Sequence, residues 1–176
     1  MQKNHWINLQ ERAKVCGARM LRIMWTLSGQ KIEFRLMKLF IDTSPFIYLI
    51  ESNPHFADQV SELILDGTSK NNEFVTSVVT LMEFGVMPER MNRQDLIMKF
   101  TRLLEDLQIP LVEINKSIAQ RASKLRANYG FLKPMNAIQL AIALELGCSQ
   151  FITNDRSLSK VSEIEIILLD RILDGE

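Results

Sequence analysis

Short apolar runs alternate with stretches of helical periodicity from Met37 onward. Five runs predict β-strands, at residues 38–42, 73–77, 109–113, 150–153 and 165–169, of which the last has the weakest pattern. Between them, apolar residues spaced three or four apart predict helices at residues 43–50, 55–66, 78–87, 93–107, 114–129 and 134–146. Strands that alternate with helices are typical of a parallel sheet covered on both faces. The pattern therefore predicts an α/β fold, a three-layer α/β/α sandwich with four or five parallel strands.

Residues with strong backbone preferences set the expected ends of these helices. Gly67 is expected to stop the second helix and Pro88 the third, because glycine and proline both disfavour a helix interior. Gly130 is expected to close the long helix before it in the same way. The helix at residues 134–146 is apolar almost throughout, which predicts burial on most of its sides.

Composition limits the chemistry available to the protein. The chain has 176 residues, 47% of them hydrophobic, which is enough for one domain with a sizeable core. No apolar run approaches the roughly 18 residues of a membrane-spanning helix, so we expect a soluble protein without a membrane partner. Two cysteines are too few for a disulfide scaffold and favour a reducing, cytoplasmic compartment. With two histidines as well, any reaction has to depend on carboxylates.

The net charge of zero hides an asymmetry between the two ends of the chain. Residues 1–36 contain seven basic and two acidic side chains, whereas residues 37–176 contain 14 basic and 19 acidic ones. A basic arm could bind nucleic acid or a membrane surface. The alternative is a poorly ordered extension or a misassigned start, because Met37 opens the first clear strand pattern. We therefore divide the chain into a basic N-terminal extension, 1–36, and a domain, 37–176.

Three acidic residues occupy positions that favour a shared site. Asp42 ends the first predicted strand and Asp155 comes just after the fourth, and ligands of open α/β sheets bind beyond the carboxyl ends of strands. Glu83 lies in an apolar stretch, where a carboxylate is costly unless it is paired or exposed. Each has an ordinary alternative, a helix cap for the aspartates and solvent exposure for Glu83. If they converge, their repulsion requires a cation, and oxygen ligands favour Mg²⁺ or Mn²⁺.

Four segments carry a resemblance to a known family. They are Phe40-Ile-Asp42-Thr-Ser44, Thr80-Leu-Met-Glu83-Phe, Lys133-Pro-Met-Asn136-Ala-Ile-Gln-Leu-Ala141 and Phe151-Ile-Thr-Asn-Asp155-Arg-Ser-Leu. In order and spacing they resemble the motifs of PIN-domain nucleases, with the VapC-like toxins as the nearest group. The resemblance spans Met37 to about Asp170. It implies a metal-dependent ribonuclease with a parallel sheet, which is usually dimeric and is often held inactive by a cognate antitoxin.

Asn136 departs from the pattern of that family, which has an aspartate at this position. An asparagine still offers a carbonyl oxygen to a metal or to its water, but it brings no negative charge, so metal affinity should fall. Natural drift, a regulatory pseudoenzyme and an engineered change are all compatible with the substitution.

The resemblance also implies roles for individual residues. The candidate metal ligands are four, Asp42, Glu83, Asn136 and Asp155. Asp42 and Asp155 would hold a Mg²⁺ or Mn²⁺ ion, Glu83 would also orient or deprotonate the attacking water, and Asn136 would complete the set. Ser44 and Thr153 are candidate hydrogen-bond donors to these ligands, with helix capping as the alternative for each. Lys133 and Arg156 lie close to the site residues of two of these segments and are candidate contacts for RNA, although both could be ordinary solvated charges.

Other functional classes fit less well. A haloacid-dehalogenase-like phosphatase needs an aspartate where Ser44 stands, and a receiver domain needs clustered early acids and a late lysine. A serine hydrolase using Ser44 and His55 lacks a glycine-flanked nucleophile turn. The serious alternative is a catalytically inactive PIN-like module that binds RNA or a protein partner, and Asn136 is the residue that favours it.

Overall fold

The computed structural model describes residues 37–170. The expectation for the N-terminal extension, residues 1–36, falls outside the described residues. The strands are β1 (Lys38–Ile41), β2 (Glu73–Ser77), β3 (Leu111–Val112), β4 (Gln150–Thr153) and β5 (Glu165–Leu168). The helices are α1 (Thr43–Ile50), α2 (Ala57–Ser69), α3 (Val78–Arg90), α4 (Gln94–Asp106), α5 (Lys116–Asn128), α6 (Pro134–Glu145) and a short 3₁₀ helix (Arg156–Lys160). In this part of the chain, no helix combines the length and the apolar content needed to cross a membrane.

The five strands form one parallel sheet in the order β3-β2-β1-β4-β5. This confirms the predicted α/β class and the larger of the two expected strand counts. The third strand is shorter than predicted and comprises two residues that pair with the end of β2. Pro110 directly precedes it and has no N–H to donate to a ladder, although its carbonyl still accepts from Thr76 N–H at 3.1 Å.

Alternate side chains of the central strand enter two separate cores. In β1, Leu39 and Ile41 pack into a cluster with α1, α2 and α4, whereas Phe40 packs into a cluster with α5 and α6. Phe40 and its register partner Phe151 on β4 stack with ring centroids 4.9 Å apart. Because both faces are covered, the strand is continuously apolar from Leu39 to Ile41 rather than alternating with polar residues.

Two of the predicted helix ends are wrong. Helix α2 continues through Gly67 to Ser69, and α3 continues through Pro88 to Arg90. Gly67 is used for close packing, since a Cβ there would lie 2.3 Å from the Phe74 ring atom Cζ. Pro88 is buried near the end of α3, where its missing N–H removes one helix hydrogen bond. Tertiary packing therefore overrides the local preference at both positions.

Gly67→Ala should destabilise the protein, because its new methyl group would overlap the ring of Phe74. That ring is itself buried in the core and has little room to move. We expect a loss of about 1–3 kcal/mol in the free energy of unfolding, measured by urea denaturation.

Gly85→Ala is the matched control, since nothing lies within 4 Å of a Cβ built at this helical glycine. It should leave stability unchanged or raise it by ~0.5–1 kcal/mol, as alanine favours helix. Equal losses for the two variants would contradict the close approach at Gly67.

Candidate functional site

The four motif positions meet at the carboxyl edge of the sheet. Asp42 directly follows β1, and Asp155 lies two residues beyond the adjacent strand β4. Glu83 is the sixth residue of α3, the helix that begins as β2 ends, and Asn136 is the third residue of α6. Because β1 lies between β2 and β4, Asp42 stands at the centre of this group.

Asp42 is held on both of its carboxylate oxygens. Oδ1 accepts a hydrogen bond from the Thr43 N–H at 2.7 Å, which caps α1, and Oδ2 accepts one from the Thr153 hydroxyl at 2.6 Å. The same Thr153 oxygen accepts from the Asp155 N–H at 3.0 Å. Thr153 thus links the two aspartates across neighbouring strands.

The surroundings of Asp42 raise the pKa of its carboxyl group. Burial is the largest cause, and the negative charges of Glu83 and Asp155 act in the same direction. The hydrogen bonds from Thr153 and Thr43 act against it without reversing the shift. Asp42 is therefore close enough to both Glu83 and Asp155 for their negative charges to disfavour its ionised form.

The surroundings of Asp155 lower the pKa of its carboxyl group. Burial acts to raise the pKa of its carboxyl group, but hydrogen bonds outweigh that effect and hold the pKa below its usual value. The Ser157 hydroxyl and N–H donate to Oδ1 at 2.7 and 2.9 Å. The Asn136 amide donates to Oδ2 at 2.9 Å, and the positive charge of Lys133 contributes in the same direction. Asp155 is therefore an anion that the protein itself stabilises.

Glu83 is bound through a single oxygen. Its Oε2 accepts from the Thr43 hydroxyl at 2.5 Å and from the Gln139 amide Nε2 at 3.1 Å. Gln139 also lies 3.3 Å from the Thr43 hydroxyl oxygen, so the three side chains form a closed triangle. Thr43 consequently bridges two carboxylates, Asp42 through its N–H and Glu83 through its hydroxyl.

The donor set suits a hard divalent cation. Carboxylate and amide oxygens are preferred by Mg²⁺ and Mn²⁺. Within residues 37–170, however, no three acidic, histidine or cysteine side chains are gathered closely enough to hold a metal ion by themselves. Mg²⁺ commonly keeps several waters and uses only one or two protein carboxylates. Asp42 and Asp155, with the carbonyl oxygen of Asn136, therefore fit such a partly hydrated ion.

The other predicted residues lie nearby with different surroundings. The Ser44 hydroxyl is buried and has no hydrogen-bond partner among the described residues, whereas Thr153 contacts Asp42 directly. Lys133 is exposed at the start of α6 and its charge reaches Asp155. Arg156 is also exposed and pairs with Asp170 at 2.5 Å.

Sequence reasoning missed three residues that contact the carboxylates, namely Thr43, Gln139 and Ser157. The sequence predicts Thr43 only as the first residue of a helix, and its hydroxyl contact with Glu83 spans 40 positions along the chain. Gln139 is polar within a helix that is otherwise nearly all apolar, and it follows Asn136 by three positions. Such a spacing places both amides on one helix face, which is the signal that could have identified Gln139.

Comparisons with known proteins bear on the family and the fold. A family model described as the PIN domain matches residues 39–164. Among solved structures, this chain is similar to one chain of VapBC2 from Rickettsia felis, with a TM-score of 0.62 and 14% identity. That structure contains VapBC2 bound to a DNA fragment from the VapBC2 promoter. That match covers 75% of this chain and 98% of the other.

Two further solved structures are similar at comparable length. A chain of a toxin–antitoxin complex from Klebsiella pneumoniae has a TM-score of 0.58 and 22% identity, covering 74% of this chain and 97% of that one. A chain of VapBC-5 from Mycobacterium tuberculosis, a member of the VapBC toxin–antitoxin family, has a TM-score of 0.50 and 20% identity, with 74% and 98% covered. No curated protein sequence matches this chain. At these identities the structural likeness shows a shared fold.

Asp42→Asn should stabilise the protein when divalent ions are absent. The folded protein raises the pKa of Asp42, so ionising this group costs more in the folded than in the unfolded state. We expect the melting temperature at pH 7 to rise by a few degrees in EDTA.

The gain should shrink as pH falls through the raised pKa and vanish below the ordinary value of 3.8, where both states are protonated. Melting curves of the two proteins between pH 3 and pH 8 test this (about the range over which an aspartate with a raised pKa ionises). A constant difference at every pH would contradict the electrostatic origin.

Proposed function

The chain belongs to the PIN-domain family, and we propose that it is a divalent-metal-dependent endoribonuclease of the PIN/VapC type, weakened by Asn136. The observation that carries this proposal is that Asp42 is linked to Glu83 through Thr43 and to Asp155 through Thr153 at the carboxyl edge of the sheet. Like charges held near one another cost free energy, which a positively charged ligand would offset.

The proposed reaction is hydrolysis of a phosphodiester bond in RNA. A bound Mg²⁺ or Mn²⁺ supplies two effects, a lower pKa for a bound water and compensation of charge on the phosphate. Asp42 and Asp155 provide the carboxylates that hold the ion, and the Asn136 carbonyl adds a neutral ligand. Glu83 orients the attacking water or accepts its proton. Thr153 keeps the two aspartates at a fixed separation through its two hydrogen bonds.

Lys133 and Arg156 are the proposed contacts for the RNA backbone. Both are exposed and lie beside the aspartates, at the start of α6 and of the 3₁₀ helix. Lys133 extends from the N-terminal end of its helix, where a positive partial charge also favours phosphate. Arg156 would have to exchange its pairing with Asp170 for a phosphate. The Arg156 side chain is exposed, but the Asp170 side chain is only 19% exposed, so the exchange costs more than it would for a fully exposed ion pair.

Asn136 supports the alternative of a non-cutting module that binds RNA or a protein. Its amide donates to Asp155 and so satisfies that carboxylate without any cation. For charges about 4 Å apart, the missing Coulomb attraction is roughly 4 kcal/mol at an effective dielectric near 20, before desolvation offsets part of it. A net loss of even ~1.4 kcal/mol lowers metal affinity tenfold.

Asn136→Asp should therefore tighten Mg²⁺ and Mn²⁺ binding by at least about tenfold and increase cleavage of RNA. The new carboxylate cannot donate to Asp155 and adds repulsion, so this variant should also be less stable in EDTA and gain more from added metal. Calorimetric titration, melting curves with and without Mn²⁺, and cleavage of total RNA measure the three effects.

Asn115→Asp provides the control for the same chemical change elsewhere. Asn115 caps α5 at an exposed position, where aspartate serves equally well. It should alter neither metal binding nor cleavage. If Asn136→Asp binds metal but cuts no faster than the parent, the non-cutting module is the better account.

We further propose an antitoxin partner, a homodimeric assembly and a cytoplasmic location. The similar solved structures include toxin–antitoxin complexes, which supports an antitoxin partner. The acidic excess of residues 37–176 and the carboxylates of the site favour a basic segment of that partner, with an arginine entering the site.

An arginine-containing peptide should bind this site and lose affinity as salt rises. The Debye length falls from ~10 Å at 0.1 M to ~3 Å at 1 M salt, which screens the attraction. Fluorescence anisotropy between about 0.1 M and 1 M salt measures the affinity of the peptide, with a peptide in which glutamine replaces the arginine as the control. Affinity that does not change with salt would indicate an apolar interface instead.

A further inference from the structure

Gln139 is a fully buried polar residue in a helix packed with apolar side chains. Its exposed fraction is 1%, and Leu140, Ala141 and Ile142 beside it are completely buried. Its amide oxygen Oε1 is buried with no partner among the described residues, which is an unfavourable arrangement. An apolar residue would therefore suit the packing of α6 better than glutamine does.

The favourable contacts of Gln139 are all made by its amide nitrogen. Nε2 donates to Glu83 Oε2 at 3.1 Å and lies 3.3 Å from the hydroxyl oxygen of Thr43. Thr43 donates to the same glutamate oxygen at 2.5 Å. The polar end of Gln139 is therefore directed at a carboxylate of the site rather than at its own helix.

Two donors use the whole capacity of Glu83 Oε2. A carboxylate oxygen offers two lone pairs, and Thr43 and Gln139 occupy one each. Only Oε1 is then left to contact a cation or a water bound to it. Because Thr43 belongs to α1 and Gln139 to α6, the glutamate of α3 is fixed from two directions.

We propose that Gln139 is a positioning residue that, together with Thr43, fixes Glu83 so that Oε1 alone serves the metal site. This inference rests on the proposed function, since it concerns the same site. Asn136 and Gln139 lie three residues apart on one face of α6 and donate to the two outer carboxylates, Asp155 and Glu83. The helix thereby orients both acids with amides, which add no charge.

The test compares Gln139→Met with its parent in an Asn136→Asp background, where we expect tighter metal binding. Methionine has a similar shape and no donor, so Glu83 loses one of its two restraints. The freer Glu83 side chain must then be ordered when Mn²⁺ binds, and this entropic cost should lower the Mn²⁺ affinity about fivefold. The melting temperature in EDTA should stay the same or rise, because an unpaired buried oxygen is removed. Gln59→Met, the same change at a residue of α2, should leave Mn²⁺ affinity unchanged.

A second pair of variants separates positioning from packing. With Glu83→Gln in the same background, there is no carboxylate to orient, so adding Gln139→Met should have no further effect on Mn²⁺ affinity. An equal loss with and without the Glu83 carboxylate would overturn the inference, and so would no loss when Glu83 is present. If the Asn136→Asp protein binds no Mn²⁺ at all, the proposed function fails and the inference falls with it.

Discussion

Parallel pairing of β1 with β4 is the constraint on which the candidate site depends. Both strands end at the same edge of the sheet, and the Asp42 N–H donates to the carbonyl of Ile152 at 3.0 Å. This pairing places Thr153 next to Asp42, although the two residues are 111 positions apart in the chain. The stacked pair of Phe40 and Phe151 maintains the same register from within the core. A shift of one residue would move these side chains to opposite faces and separate the aspartates.

The second constraint is the mutual repulsion of the acids. Hydrogen bonds offset part of it, and their donors come from every layer around the site. Asp155 receives three such bonds from Ser157 and Asn136, which explains why the pKa of its carboxyl group falls although burial acts to raise it. Asp42 receives two, and they do not outweigh its burial and the neighbouring charges. A cation beside Asp42 would therefore offset both the cost of burying its charge and the repulsion from its neighbours.

Asn136 affects the repulsion among the carboxylates of the site when no metal is bound. An aspartate at this position would add a further like charge, whereas the amide donates a hydrogen bond to Asp155. The amide therefore avoids a further like charge in the protein and, under the proposed function, removes a charged ligand from the metal. Groups arranged for a reaction are often unfavourable for the fold, and Asn136 fits that relation between stability and activity. Gln139 extends the arrangement to Glu83 without adding charge.

Apolar periodicity along the sequence determined the fold class, the order of strands and helices, and the elements that carry Asp42, Glu83, Asn136 and Asp155. Apolar periodicity follows from which side chains are buried, so it is visible within a short stretch of the sequence. Local preference failed where packing opposed it, at Gly67 against Phe74 and at Pro88. Only the tertiary structure decided that Thr43 and Gln139 bind Glu83, and that Asn136 donates to Asp155. Those contacts join α1, α3, α6 and the segment after β4. A hydrogen bond between elements far apart in the chain produces no periodic pattern in the sequence, so neither its partners nor its direction can be predicted from periodicity.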